Sequence, residues 1–128
     1  NAREIVNRIK KREWYRPFAA CVLEEDAHLY FNIKQASRFM TQCYKVTTDI
    51  IPGVTHVDGT CRVQTVVDGH LYEILQQFKK RTGHGILLNT SFNLAGNPLV
   101  ETPEQAFDTL AQSELDYLWF PETLQLFS

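Results

Sequence analysis

Residues 85–93 read Gly85-Ile86-Leu87-Leu88-Asn89-Thr90-Ser91-Phe92-Asn93, an apolar run that ends in a crowd of amides and hydroxyls. A strand that merely turned would more often end on glycine, proline or a charge. Short polar side chains at a strand end are what an α/β sheet places around a ligand. The stretch therefore predicts a strand over 85–92 and a candidate site at its end.

The neighbouring segments extend the pattern. Residues 70–83, HLYEILQQFKKRTG, predict a helix with Leu71, Ile74, Leu75 and Phe78 as its apolar stripe. Lys79, Lys80 and Arg81 suit its C-terminal dipole, and Gly83 its cap. Downstream, a Gly-Asn-Pro turn leads to Thr102-Pro103-Glu104-Gln105, a threonine N-cap with proline at the first helical position and glutamine at the third. Ala106, Phe107, Leu110 and Ala111 would be that helix's buried face. LDYLWF and TLQLF close the chain as one or two short strands. Upstream, strands are predicted over Phe18–Leu23, Arg38–Val46 and Cys61–Val67. In the last, alternation sets Arg62 and Gln64 on one face and Cys61, Val63 and Thr65 on the other. An opening helix with Ala2, Ile5, Val6 and Ile9 on one side should stop before Pro17. The sum is a mixed α/β, α+β-like domain with helices packed on a sheet, and residues 1–128 are read as one domain.

The chain has 128 residues, 44% hydrophobic and 22% charged, which suits a globular domain with a real core. Its net charge of −2 argues against nonspecific nucleic-acid binding, since there is no excess positive charge to release counterions. A local basic pocket for a small phosphate remains compatible. The three cysteines are widely spaced without a Cys-x-x-Cys pair, which suggests neither a zinc site nor a disulfide framework. A reduced, cytoplasmic setting is the simpler expectation. No apolar run has the length of a membrane span. The chain lacks an initiator methionine and is read as a fragment of something longer.

Two regions are denser in polar function than a scaffold needs. In RIKKREWYRPF, Arg8, Lys10, Lys11, Arg12 and Arg16 fall close together. An isolated charge run is usually a solvated face. Lys10 and Arg12, two apart, would diverge on a regular helix and converge only if the helix ends there. A lysine point charge beside a guanidinium fork suits a phosphate. In the second region, Ser91 and Asn93 face the same side of an extended chain and offer a hydroxyl and an amide to a phosphoryl or carbonyl oxygen. A local turn, with serine and asparagine bonding their own backbone, explains them equally well. His56 and Asp58 would share a face if extended, as a metal or acid–base pair might, although a turn with a satisfied histidine is the simpler reading. Arg62 on a buried strand would need an anionic partner.

The segments NRIKKREWYRPFAACVL, VTHVDGTCRVQTV, LLNTSFNLAGNPLVETPEQAFDTL and LDYLWF, in that order, resemble the C-terminal domain of NodU/CmcH-type O-carbamoyltransferases. That domain is similar to the YrdC-like fold of threonylcarbamoyl-adenylate synthases and hydrogenase-maturation carbamoyltransferases. The resemblance implies a twisted mixed sheet with helices packed on it, and a carbamoyltransferase activity. It also implies that Lys10-x-Arg12 and Ser91-x-Asn93 match the family's lysine-x-arginine and serine-x-asparagine pairs, as catalytic residues. Arg16, Arg62, Thr90 and His56 are the accompanying candidates for substrate or nucleotide binding. Carbamoyl phosphate and ATP would be the substrates and carbamoyl-adenylate the product. Magnesium would be held mainly through the nucleotide phosphates, with no metal site in the protein itself. A separate N-terminal ASKHA-like domain of the full-length protein would pass the carbamoyl group to a small-molecule hydroxyl. Ala20, Cys21 and Cys61 depart from the family pattern. A noncatalytic nucleotide- or RNA-binding module of the same fold is the alternative.

Overall fold

The structure is a computed structural model, and it describes residues 2–128. The chain forms two compact units, Pro17–Thr90 and the pair of segments 1–16 and 91–128.

The unit Pro17–Thr90 is built on a four-stranded mixed sheet. Its strands are β1 (Ala19–Leu23), β2 (Cys43–Lys45), β3 (Thr60–Val66) and β4 (Ile86–Asn89), in the order β2-β3-β1-β4. β1 runs parallel to β3, while β1/β4 and β2/β3 are antiparallel. The sequence of β1, AACVL, is apolar throughout because the strand is central, and all five residues are buried. Cys21 and Leu23 project from one face with Val66 of β3, and helix α2 (Gly69–Thr82) covers them with Leu75. β3 alternates as its sequence requires: Cys61, Val63 and Thr65 are buried, while Arg62 lies exposed on the other face. Gly83 ends α2 in the left-handed conformation at φ 82°, its N–H bonded to the Lys79 carbonyl. Gly85 is a packing requirement, because a Cβ there would stand 2.7 Å from Leu23 Cδ1 and 2.8 Å from Asp26 Oδ2. A 3-10 turn over Glu24–Leu29, which the sequence reading lacked, follows β1 directly.

Three expectations need correction. The strand read over Arg38–Val46 is only Cys43–Lys45. Met40 sits at φ 52°, which no strand accommodates, and the edge of β3 beyond β2 is taken by Ser37. Thr65 N–H donates to the Ser37 carbonyl at 2.9 Å, and Ser37 Oγ donates to the Val63 carbonyl at 2.9 Å. Ile74 and Phe78 are exposed, and the inner face of α2 is formed by Leu71, Tyr72 and Leu75 instead. β4 stops at Asn89, so Ser91 and Asn93 are not on an extended strand.

The unit formed by 1–16 and 91–128 contains α1 (Ala2–Lys10), α3 (Pro103–Ala111) and the hairpin β5 (Leu118–Phe120)–β6 (Gln125–Phe127). α3 begins with the predicted capping box: Thr102 Oγ1 accepts from Gln105 N–H, and the Gln105 side chain accepts from Thr102 N–H. Phe107, although 41% exposed, packs edge-on against Phe127 with ring centroids 4.9 Å apart, and Phe120 completes the cluster. The apolar stripe of α1 is only partly covered, with Ile5 exposed. The one buried residue of α1 is a lysine, Lys10.

Candidate functional site

The helix carrying Lys10 stops well short of Pro17, and its ending aims the side chain. Lys11 takes φ 52°, a left-handed conformation usually left to glycine. Lys11 N–H bonds to the Arg8 carbonyl at 3.1 Å and Arg12 N–H to the Asn7 carbonyl at 2.9 Å. These are the two reciprocal bonds of a Schellman cap. The reversal releases Arg12 from helical spacing, as convergence with Lys10 requires. A non-glycine residue at that position costs about 1 kcal/mol, and such strain gathers where a local geometry is needed.

Lys10 keeps 8% of its surface. Its ammonium donates to the Ser91 carbonyl, to Ser91 Oγ at 3.3 Å and to Asn93 Oδ1 at 3.4 Å. These partners lie 81 and 83 residues along the chain, and the contact is double, because Ala95 N–H donates to the Lys10 carbonyl at 2.9 Å. Burial, aided by Arg12 and then Arg16, pulls the Lys10 pKa down from 10.5 to about 8. Both guanidinium groups lie within electrostatic reach of the ammonium. Arg16 additionally pairs with Glu13 at 3.5 Å across an exposed turn, a contact worth little.

Ser91 and Asn93 meet through a turn and not through strand alternation. Asn93 N–H donates to the Ser91 carbonyl at 3.2 Å, and Ser91 Oγ donates to Asn93 Oδ1 at 2.6 Å. The Asn93 amide nitrogen donates to the carbonyls of Leu94 at 3.3 Å and Asn97 at 3.0 Å. The local-turn reading is thus realised, and the turn is also the seat of a buried lysine. Asn97 was read only as part of a turn; the Gly-Asn-Pro signal pointed to the bend but not to the carbonyl that fixes the Asn93 amide.

The remaining candidates belong to the unit Pro17–Thr90. Arg62, expected to be buried, is exposed on β3, so it carries no buried-charge requirement. His56 has its Nε2 3.0 Å from the Phe18 carbonyl and its Nδ1 3.4 Å from Thr60 Oγ1. Asp58 accepts from Thr60 N–H and from Thr60 Oγ1 at 2.7 Å, an Asx-type turn and not an acid–base pair with His56. Thr90 is half-buried just past β4. Cys21 and Cys61 are buried and unpaired with each other. Burial pushes their thiols up to about 11 and about 12, which leaves them protonated and poor nucleophiles. Ala20 and Cys61 are fully buried and Cys21 nearly so in the β1/β3 core, a packing setting for the three departures noted in the sequence.

Among the described residues no three His, Cys, Asp or Glu side chains gather into a set able to hold a metal ion. No helix among them is long and apolar enough to cross a membrane. The arrangement suits an anion. The two side-chain contacts of Lys10, at 3.3 and 3.4 Å, are long and neutral, and a phosphoryl oxygen would replace them with shorter charge-assisted bonds.

The family model described as Carbamoyltransferase C-terminus matches residues 1–125. The nodulation protein NolNO of Sinorhizobium fredii is 41% identical over 119 residues, covering 86% of this chain and 18% of that protein. The 3'-hydroxymethylcephem-O-carbamoyltransferase of Amycolatopsis lactamdurans is 36% identical over 102 residues, 77% of this chain and 20% of that protein. Nodulation protein U of Rhizobium tropici is 31% identical over 123 residues, 91% of this chain and 21% of that protein. The chain thus spans about a fifth of the length of these curated relatives.

Proposed function

This chain belongs to the carbamoyltransferase C-terminus family, and on that premise we propose that it is the carbamoyl-activating part of an O-carbamoyltransferase. It binds carbamoyl phosphate and ATP and yields carbamoyl-adenylate. The carbamoyl group is then passed to a small-molecule hydroxyl by an N-terminal ASKHA-like domain of the full-length protein.

The observation that carries this reading is the seating of the Lys10 ammonium on Ser91 and Asn93. Carbamoyl phosphate, ATP and one water give carbamoyl-adenylate, phosphate and pyrophosphate. Water releases phosphate to leave carbamate, whose oxygen displaces pyrophosphate from the ATP α-phosphorus, so negative charge accumulates on non-bridging and leaving oxygens. Lys10, Arg12 and Arg16 meet that charge without reorganising, the form of catalysis that depends on preplaced cations. Ser91 Oγ and the Asn93 amide orient the carbamoyl or phosphoryl oxygen. Magnesium, if it enters, arrives with the nucleotide and is held by phosphate oxygens and water; it supplies further charge neutralisation. Arg62 and Thr90 remain proposed substrate contacts of the other unit. The engaged ring nitrogens of His56 favour a structural part for it.

Isothermal titration with carbamoyl phosphate, ATP and a short RNA tests the proposal. Saturable binding of carbamoyl phosphate that weakens by about tenfold or more in Lys10→Ala supports it. Salt-insensitive tight binding of RNA, or no heat with any of the three, contradicts it.

A further inference from the structure

A cavity in the same unit as Lys10 has the opposite chemistry. It encloses about 240 Å³. Gln105, Asp108, Thr109 and Gln112 line it from α3, spaced so that all four share one helix face. A polar helix face normally meets solvent. Here Gln105, Asp108 and Gln112 stay exposed to solvent and also border the loop over 94–100, from which Leu94 and Leu99 add apolar surface.

Two of the four polar residues are already occupied. Gln105 Oε1 accepts from Glu101 N–H at 2.8 Å as part of the helix cap, and Thr109 Oγ1 donates to the Gln105 carbonyl at 2.7 Å. The Asp108 carboxylate and the Gln112 amide make no side-chain hydrogen bond or ion pair among the described residues. No lysine, arginine or histidine lines the cavity. Phosphate would meet a carboxylate and no cation there. A ligand that donates hydrogen bonds from one side and presents an apolar face on the other would be held from both walls.

We infer that this cavity binds a sugar-like ring, a polyol that is neutral or carries an amine, through Asp108 and Gln112. Such a ring could be the ribose of a nucleotide or a free carbohydrate. The inference rests on Asp108 and not on Lys10, so it stands or falls separately from the anion site. The two places share one link: Asn93 faces Lys10 with Oδ1 and holds the carbonyl of Asn97, a cavity residue, with Nδ2.

The test is an amide NMR titration of the chain with D-glucosamine, adenosine and inorganic phosphate, repeated on Asp108→Asn, an exposed substitution that leaves the helix cap untouched. Glucosamine should move the Asn97, Asp108 and Gln112 signals if free carbohydrate is the ligand; adenosine should move them if the ribose is. Asp108→Asn should weaken that response by about tenfold and leave the phosphate response unchanged. If neither polyol moves these signals, or if Asp108→Asn binds as well as the parent chain, the inference is overturned. A missing phosphate response would count against the anion site alone.

Discussion

The sheet of Pro17–Thr90 and the polar turn of 91–97 use burial for different ends. In the sheet, the buried residues are apolar except Thr65: β1 is covered along its whole length, and Leu75 of α2 is fully enclosed. Each such side chain stabilises by its transfer from water, about 1.5–3 kcal/mol. In the other unit the buried residue of α1 is a lysine, whose burial opposes its charge and lowers its pKa to about 8. Hydrogen bonds to Ser91 and Asn93 offset part of that cost. A core that only had to be stable would place leucine there. The contrast separates burial that serves the fold from burial that keeps a cation among polar partners, as the proposed anion site requires.

Four substitutions sharpen or break the contrast. The largest stability effect should come from Leu75→Ala, which opens a cavity beneath Cys21, Leu23 and Val66. A loss of about 2–5 kcal/mol in urea unfolding is expected, and a loss near zero would mean the sheet is not held by this layer. Lys10→Ala should lower carbamoyl phosphate affinity by about tenfold or more, the worth of a charge-assisted hydrogen bond, while the chain still folds cooperatively. Normal binding by this variant would return the basic run to the status of a solvated face. Ser91→Ala should weaken binding several-fold, about 1 kcal/mol, with little change in Tm, because Ser91 is exposed. A large Tm loss with intact binding would make the hydroxyl purely a turn element. The smallest effect is expected for Lys11→Gly. Relieving the left-handed lysine should raise stability by about 0.5–1 kcal/mol and leave titration curves unaltered; a drop in affinity would add Lys11 to the ligand contacts.

Much of the fold was legible because periodicity and capping chemistry act locally. The α2 segment ended on the glycine the sequence offered, and Thr102 with Gln105 formed the capping box. Arg38–Val46 was misread because its apolar residues resemble a strand, while the competing partner for the β3 edge, Ser37, carries no strand signal. In the site, the basic run and the NTSFN stretch were visible as candidates, but their meeting is a long-range contact that no spacing rule supplies. The end of α1 was hidden too, since Lys11 fills a position where glycine would have announced the stop. Arg62 looked buried because its neighbours are; the alternation of β3 already placed it on the other face.

The charge of Lys10 is the most direct test. The unfolded lysine keeps its proton to about 10.5 and the folded one only to about 8. Between those values the unfolded chain binds more protons, so stability should rise with pH. Over the same window the ammonium proposed to receive the anion is lost. Carbamoyl phosphate titrations at pH values below and above about 8, on the parent chain and on Lys10→Ala, should show affinity falling in the parent and staying weak and flat in the variant. Equal affinity in the two chains at every pH would contradict the assignment of Lys10 to the anion.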